Sequence, residues 1–285
     1  MAKEKFKICK RPKGKLNRNT PMTQIRKIIS DLDKWIKKGI DSLNKSNNSL
    51  AISELSKAIE INPQHADVFN NRGIAYGKNG DLVSSLADFN QAIALAGDQA
   101  EYYYNRGNAY YEKGDLDRAS TDYTQAILIN SAFELAYYAR GLVYCKKSNF
   151  DKAIEDFNKT IFLKADYPKA YYDRGVAYSE KGNLNQAIND YTRAVSIQPN
   201  YMEAFLNRGL AFAIQAQNKQ AIDDYSKAIA INPKFALAYY NRALSYCTIG
   251  DYENSWKDVH MVEALGGKNN PSFVQDLKMV SGRNK

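Results

Sequence analysis

The chain has few of the residues on which metal binding and covalent catalysis depend. There are 2 histidines and 3 cysteines in 285 residues. His65 and His260 stand far apart, and neither has a second histidine or a cysteine at ligand spacing, so no metal site is expected. Cys9, Cys145 and Cys247 form no CxxC pair, which excludes a zinc ribbon or a redox motif of that kind. The GxxxxGK[ST], GxSxG and HExxH patterns are missing, and with them the phosphate loop, the nucleophile elbow and the metalloprotease helix. No catalytic residue and no cofactor is expected. Apolar runs are short, none reaching the roughly 18 residues of a membrane-spanning helix, so no transmembrane segment is expected. The residues after Met1 are charged and contain no apolar h-region. Together with the low cysteine content, this points to a reducing cytoplasm.

Most of the chain also lacks a net charge. The formal charge is +9, yet residues 1–27 alone hold ten Lys or Arg against Glu4, and the remainder balances at 30 basic and 30 acidic residues. The basicity therefore belongs to an N-terminal tail and not to the folded body. Residues 3–18, with Lys3, Lys5, Lys7, Lys10, Arg11, Lys13, Lys15 and Arg18, read as a solvated, disordered arm. The alternative is a tether making weak, non-specific polyanion contact with nucleic acid, a ribosome or an anionic membrane surface. Phe6 is the one aromatic there, which gives little support to base stacking.

What is present is a period. Arg72, Arg106, Arg140, Arg174, Arg208 and Arg242 follow one another at 34-residue intervals. Such a period is the signature of a helix–turn–helix solenoid. Seven units result: 32–65, 66–99, 100–133, 134–167, 168–201, 202–235 and 236–269. Position four of each is aromatic, from Trp35 to Tyr239, and position eight is Gly, or Ala243 in the last unit. Position 20 is small, position 24 is large (Leu55, Phe89, Tyr123, Phe157, Tyr191, Tyr225, Val259), and position 27 is mostly Ala. Positions 4, 8 and 11 share one helix face, as do 20, 24 and 27. Folding the unit about position 15 or 16 sets four against 27, eight against 24 and eleven against 20, each a large residue facing a small one. Gly80, Gly114, Gly182 and Gly250 read as turns that end first helices. Position 30, Ile or Leu throughout, is expected to pack onto the following unit.

These columns over 32–269 resemble the tetratricopeptide repeat family, and Pro63, Pro199 and Pro233 fit its late proline. The resemblance implies an all-α fold. It would be a right-handed α-solenoid of about seven helix–turn–helix repeats, with a concave face lined mainly by first helices. Residues 1–20 would be the basic tail and 21–31 an N-terminal helical extension. Residues 270–285 would form a C-terminal capping helix with Asn270 as N-cap, Pro271 in its first turn and Phe273, Leu277 and Val280 as its apolar stripe.

The arginines stand at position seven and could form a comb for anionic ligands. Yet position 23 holds Asp88, Asp122, Asp156, Asp190, Asp224 and Asp258, each 16 residues after an arginine, with Lys38 and Glu54 repeating the signs in the first unit. A comb with a matched anion at every tooth reads better as seven internal ion pairs. Candidate binding residues lie on the other side of the first helices. Asn71, Asn105, Asn207 and Asn241 stand at position six, interrupted by Ala139 and Asp173. Tyr104, Tyr138, Tyr172 and Tyr240 stand at position five, and Asn108 and Tyr111 adjoin them. An amide donates and accepts at once and suits an extended peptide backbone, while tyrosine offers flat area with a polar tip. Some tetratricopeptide proteins bind extended peptides through a similar asparagine ladder, which the resemblance carries only to Asn71, Asn105, Asn207 and Asn241. The lysine that the family's carboxylate clamp needs at position five is missing, which argues against acidic C-terminal peptides. The expected role is a non-enzymatic scaffold or adaptor for a protein or peptide partner. The asparagines could also simply face water, and the tyrosines could pack between units.

Overall fold

A computed structural model describes residues 21–283; the basic stretch at 3–18 lies outside the described residues. Among the described residues there are fifteen α-helices and no strand. The chain divides into two compact units at Ala136 and Tyr137. The first holds α1 (Met22–Asn44), α2 (Asn48–Ile61), α3 (Ala66–Lys78), α4 (Leu82–Leu95), α5 (Ala100–Glu112) and α6 (Leu116–Ile129). The boundary falls within α7 (Glu134–Lys146). The second unit continues with α8 (Phe150–Leu163), α9 (Pro168–Glu180), α10 (Leu184–Ile197), α11 (Met202–Ile214), α12 (Asn218–Ile231), α13 (Ala236–Thr248), α14 (Tyr252–Ala264) and α15 (Pro271–Ser281). The architecture is the all-α repeat of helix–turn–helix hairpins, and the segment from Met22 onward is continuous with the first helix.

The turns explain why the helices stop and restart where they do. Gly80, Gly114, Gly182 and Gly250 take left-handed φ values of 84°, 82°, 78° and 82°, a region that costs glycine nothing. Ser46, Ser148 and Ala216 hold the same place in the other hairpins at 57°, 55° and 58°. The next residue caps the second helix: Asp81 accepts from the Ser84 amide at 3.0 Å and Asp115 from Arg118 at 3.1 Å.

Inside each hairpin the size rule is physical. A Cβ placed on Gly73, Gly107, Gly141, Gly175 or Gly209 would stand 2.6–2.8 Å from the ring of Phe89, Tyr123, Phe157, Tyr191 or Tyr225. Phe69 and Phe205 likewise meet Ala92 and Ala228. Position 30 varies between hairpins: Leu95 packs against the cluster that contains Tyr102 of the following hairpin, as expected, while Ile129 and Ile231 each remain 39% exposed. The buried columns are positions three and ten of the first helices, as where Val68 and Ala75 join Ala51, Leu55 and Ala58 in one core cluster. These positions face the second helix of the preceding hairpin, whereas position 30 is the last residue of the second helix in the first six hairpins.

At the C-terminal end Asn270 caps α15 by accepting from the Ser272 amide at 2.9 Å. Phe273 and Leu277 are buried against Ala243, Trp256 and Val259. Val280 does not complete the expected stripe: it is 52% exposed, because α15 ends within a turn of it and only its first two turns lie on the last hairpin.

Candidate functional site

The six arginines are committed to the scaffold. Arg106 Nε and Nη2 donate to Asp122 Oδ2 and Oδ1 at 2.8 and 2.7 Å. Arg72–Asp88, Arg140–Asp156, Arg174–Asp190, Arg208–Asp224 and Arg242–Asp258 repeat this fork-to-fork geometry. The aspartates are buried and the arginine side chains mostly so. The hydrogen bonds that Arg106 donates to Asp122 hold its guanidinium above the ordinary arginine value. The remaining Nη1 reaches the preceding hairpin: Arg72 to Ser56, Arg106 to Asn90, Arg174 to Asn158, Arg208 to Thr192 and Arg242 to Ser226, at 2.5–3.0 Å. Each of these arginines therefore links its own two helices and the hairpin before it. Its guanidinium also stands 5.5–5.6 Å from an aromatic centroid at position four, as Arg106 does over Tyr103 and Arg208 over Phe205.

The first hairpin departs from the expected seven pairs. Glu54 is buried, but it accepts from the Ser42 hydroxyl at 2.6 Å, while Lys38 stands 5.0 Å over the Trp35 ring. Ser42 occupies the column that is aromatic in the other hairpins, and its short hydroxyl is close enough to replace a cation.

Another side of the first helices carries the candidate residues. In the first unit, the Tyr104 ring packs on Tyr123 and Phe133, with centroids 5.9 and 5.1 Å away. Asn105 Nδ2 donates to Asn70 Oδ1 at 2.9 Å, and Asn108 Oδ1 accepts from the Tyr123 hydroxyl at 2.8 Å. Asn71 lies on α3, half-buried, and Tyr111 on α5, also half-buried. Asn105 and Asn108 border a notch of about 170 Å³ whose other walls include Gly73, Ile74, Gly77 and Phe89. Asn105 spends one N–H on Asn70 and is half-buried at the edge of this notch.

In the second unit, Tyr138 packs on Phe157 and Tyr167 (5.8 and 5.0 Å), and Tyr172 packs on Tyr191 and Tyr201 (5.9 and 5.0 Å). Asn207 Nδ2 donates to the Tyr172 hydroxyl at 3.0 Å. Asn241 borders a second notch, about 200 Å³, with Leu210, Ala213, Tyr225 and Leu244. Asp173 takes the asparagine position on α9 and accepts from the Tyr138 hydroxyl at 2.6 Å. Burial pushes the Asp173 carboxyl up to about 6, against the weaker pull of the Tyr138 hydrogen bond and Lys169. Burial first, and then the Asp173 charge, raise Tyr138, Tyr172 and Tyr201 above the ordinary tyrosine value.

Three features escaped the sequence reading. Position 25 (Ser56, Asn90, Asn158, Thr192, Ser226) receives the third arginine nitrogen, and its run of short polar residues was the available signal. Position 34 supplies the ring partners Phe133, Tyr167 and Tyr201, three aromatics in register. The electrostatic setting of Asp173 had no signal beyond the interruption itself. Cys145 and Cys247 are half-buried thiols, and burial pushes Cys145 up to about 11, away from nucleophilic chemistry. Among the described residues no group of three or more His, Cys, Asp or Glu gathers as a metal site, and no helix is long and apolar enough to cross a membrane.

The hairpins, the Gly-to-ring contacts and the recurring Arg–Asp forks together define a helical repeat protein with a polar, aromatic first-helix face. The chain belongs to the tetratricopeptide repeat family. The family model described as "TPR repeat" matches residues 44–80, 107–148, 141–182 and 211–250, more than half of the chain, and that described as "Tetratricopeptide repeat" matches 168–201. Among solved structures, the chain is similar to MamA at 26% identity and a TM-score of 0.54, covering 61% of this chain and 94% of that one. It is also similar to YrrB, described as "a TPR protein with an unusual peptide-binding site", at 25% identity and a TM-score of 0.56, over 65% and 95% of the two chains. The C-terminal part of a TPR repeat-containing protein from Cytophaga hutchinsonii shares the fold at 19% identity and a TM-score of 0.69, over 81% and 95%. A comparison with curated protein sequences finds no match.

Proposed function

We propose that this chain is a non-enzymatic protein–protein interaction scaffold that holds an extended peptide or partner segment against its first-helix faces. The observation that carries the reading is the open hydrogen-bonding capacity of Asn105 and Asn207. Each spends one N–H on the neighbouring hairpin and leaves a carbonyl oxygen and an N–H on a half-exposed face. These are the groups an extended backbone needs. The arginine row offers no such capacity, because its nitrogens are spent in the seam. The peptide-binding description of YrrB supports the same use here. We further infer a seven-unit organisation over 32–269 closed by a cap over 270–285, from first helices that recur every 34 residues between Ala66 and Ala236.

The test compares affinity capture by wild type with capture by the Asn105→Ala/Asn207→Ala double variant, read by mass spectrometry. The expected result is loss of the captured partners at unchanged helicity by circular dichroism. An unchanged capture profile would overturn the reading.

A further inference from the structure

The asparagine position is interrupted twice in the second unit, and the two interruptions belong together. Ala139 ends at Cβ, and one repeat later Asp173 supplies a carboxylate. On either side of Asp173 stand two tilted tyrosine pairs, Tyr138 with Tyr167 and Tyr172 with Tyr201, their centroids 5.0 Å apart in each case. Asp173 Oδ2 is held by the Tyr138 hydroxyl. Among the described residues Oδ1 has no hydrogen-bond donor, and no cation lies within ion-pair distance; Lys169, one turn earlier on α9, falls outside it. The contrast with the seam is plain, since every seam aspartate is closed by a guanidinium fork while Asp173 is not. A half-buried carboxylate with an open oxygen and aromatic walls is complementary to a cation that can lie flat against rings.

From this juxtaposition we infer that Asp173, with Tyr138 and Tyr201, is the specificity-determining position of the second unit and receives an arginine side chain of the bound peptide. The guanidinium donates to Oδ1 and lies against the tyrosine rings. Arginine fits better than lysine because its planar fork can pair with the carboxylate and stack at once. Glu203, whose charge also raises Tyr172, adds negative charge near this cluster. The inference rests on the reading that the first-helix face takes a peptide, and it names the chemistry of that peptide at one place.

The experiment pans random peptides displayed on phage against the full-length chain, as wild type and as Asp173→Asn. Asparagine occupies the same position in other hairpins, so this variant is compatible with the fold, and circular dichroism checks it. The expected result is that wild-type selections share an arginine at one fixed position and Asp173→Asn selections lose it. A synthetic peptide from the wild-type set should bind the variant about tenfold more weakly. Enriched peptides without a fixed basic residue, or a preference that survives in Asp173→Asn, would overturn the inference and leave the scaffold reading standing. A lysine in place of arginine at that position would overturn the assignment of the guanidinium. No enrichment of any peptide by the wild type would overturn both.

Discussion

Two polar columns run along the first helices, and they differ in how fully their hydrogen-bonding capacity is used. At position seven, Arg106 spends both fork nitrogens on Asp122 and its third on Asn90. At position six, Asn105 makes one hydrogen bond to Asn70 and keeps the rest. The columns are adjacent in sequence, the arginines unbroken from Arg72 to Arg242 and the asparagines interrupted at Ala139 and Asp173. What distinguishes scaffold from site is unspent hydrogen-bonding valence. Asp173 carries the difference furthest, because it is a charge in the open column with no cation of its own, while the charges of the closed column are matched.

The comparison breaks hardest at the seam. Asp122→Asn or Arg106→Ala leaves the other member of a largely buried pair without its counter-charge. Fully buried pairs broken this way lose about 3–5 kcal/mol. Arg106 keeps some solvent contact, so about 2–3 kcal/mol is expected here, read as a clear fall in the urea midpoint. Peptide affinity measured well below that midpoint should not move. A seam variant that lost affinity while still folded would erase the distinction between the columns.

Gly107→Ala is the next largest. Its Cβ would stand 2.7 Å from Tyr123 Cε1. Overpacking of this kind costs about 1–3 kcal/mol, and the helix propensity gained by alanine offsets up to about 1 kcal/mol. A loss of about 1–2 kcal/mol is expected in the same denaturant measurement. Tyr123 also donates to Asn108, so a displaced ring should weaken peptide binding slightly, unlike the seam variants.

These two columns were readable in the sequence because each pairs with a partner at a fixed offset within one repeat: Arg106 with Asp122, Gly107 with Tyr123. A hairpin turns a constant offset into a contact, and six repetitions make each pairing conspicuous. Contacts between hairpins were harder to see. Tyr104 looked equally suited to a ligand and to packing, and the ring of Phe133 decides for packing at one of its faces. The third nitrogen of Arg106 goes to Asn90, in a column whose only mark is short polar residues. In the first hairpin the matching signs of Lys38 and Glu54 suggested a pair, but Ser42 reaches the carboxylate first. Offset patterns report which residues can meet and not which of several nearby donors prevails. For Asp173 the decisive fact is burial against an aromatic cluster, and no residue pattern encodes how far a carboxylate is desolvated.

Asp173→Asn should act on stability with a sign opposite to the seam variants. The folded-state carboxyl titrates at about 6, above the ordinary 3.9 or so of an unfolded aspartate. Between these values the folded chain holds a proton that the unfolded chain releases, so this group's contribution to stability falls as pH rises from about 4 to about 6 and is level above that. The variant should match wild type near pH 4 and be the more stable of the two above pH 6, in parallel urea titrations across that range. Equal stability at pH 7.5, or a gap that closes with rising pH, would contradict an unpaired, desolvated carboxylate.

The smallest effect on stability is expected from the residues proposed to matter most for binding. Asn105→Ala and Asn207→Ala each remove one half-exposed hydrogen bond between hairpins, worth about 0.5–1.5 kcal/mol when well shielded and less here. They stand on α5 and α11 and share no hydrogen-bond partner, so their costs should add. If the open column serves a ligand, the double variant shows the reverse of the seam: a melting curve close to wild type and an affinity for a selected peptide reduced by about tenfold or more, because a bound backbone would face unpaired groups. If instead the two asparagines were scaffold like the arginines, the denaturant midpoint would fall and the affinity would follow it only through unfolding. Calorimetric titration of the folded double variant separates the cases, since it measures affinity at a temperature where both proteins remain native.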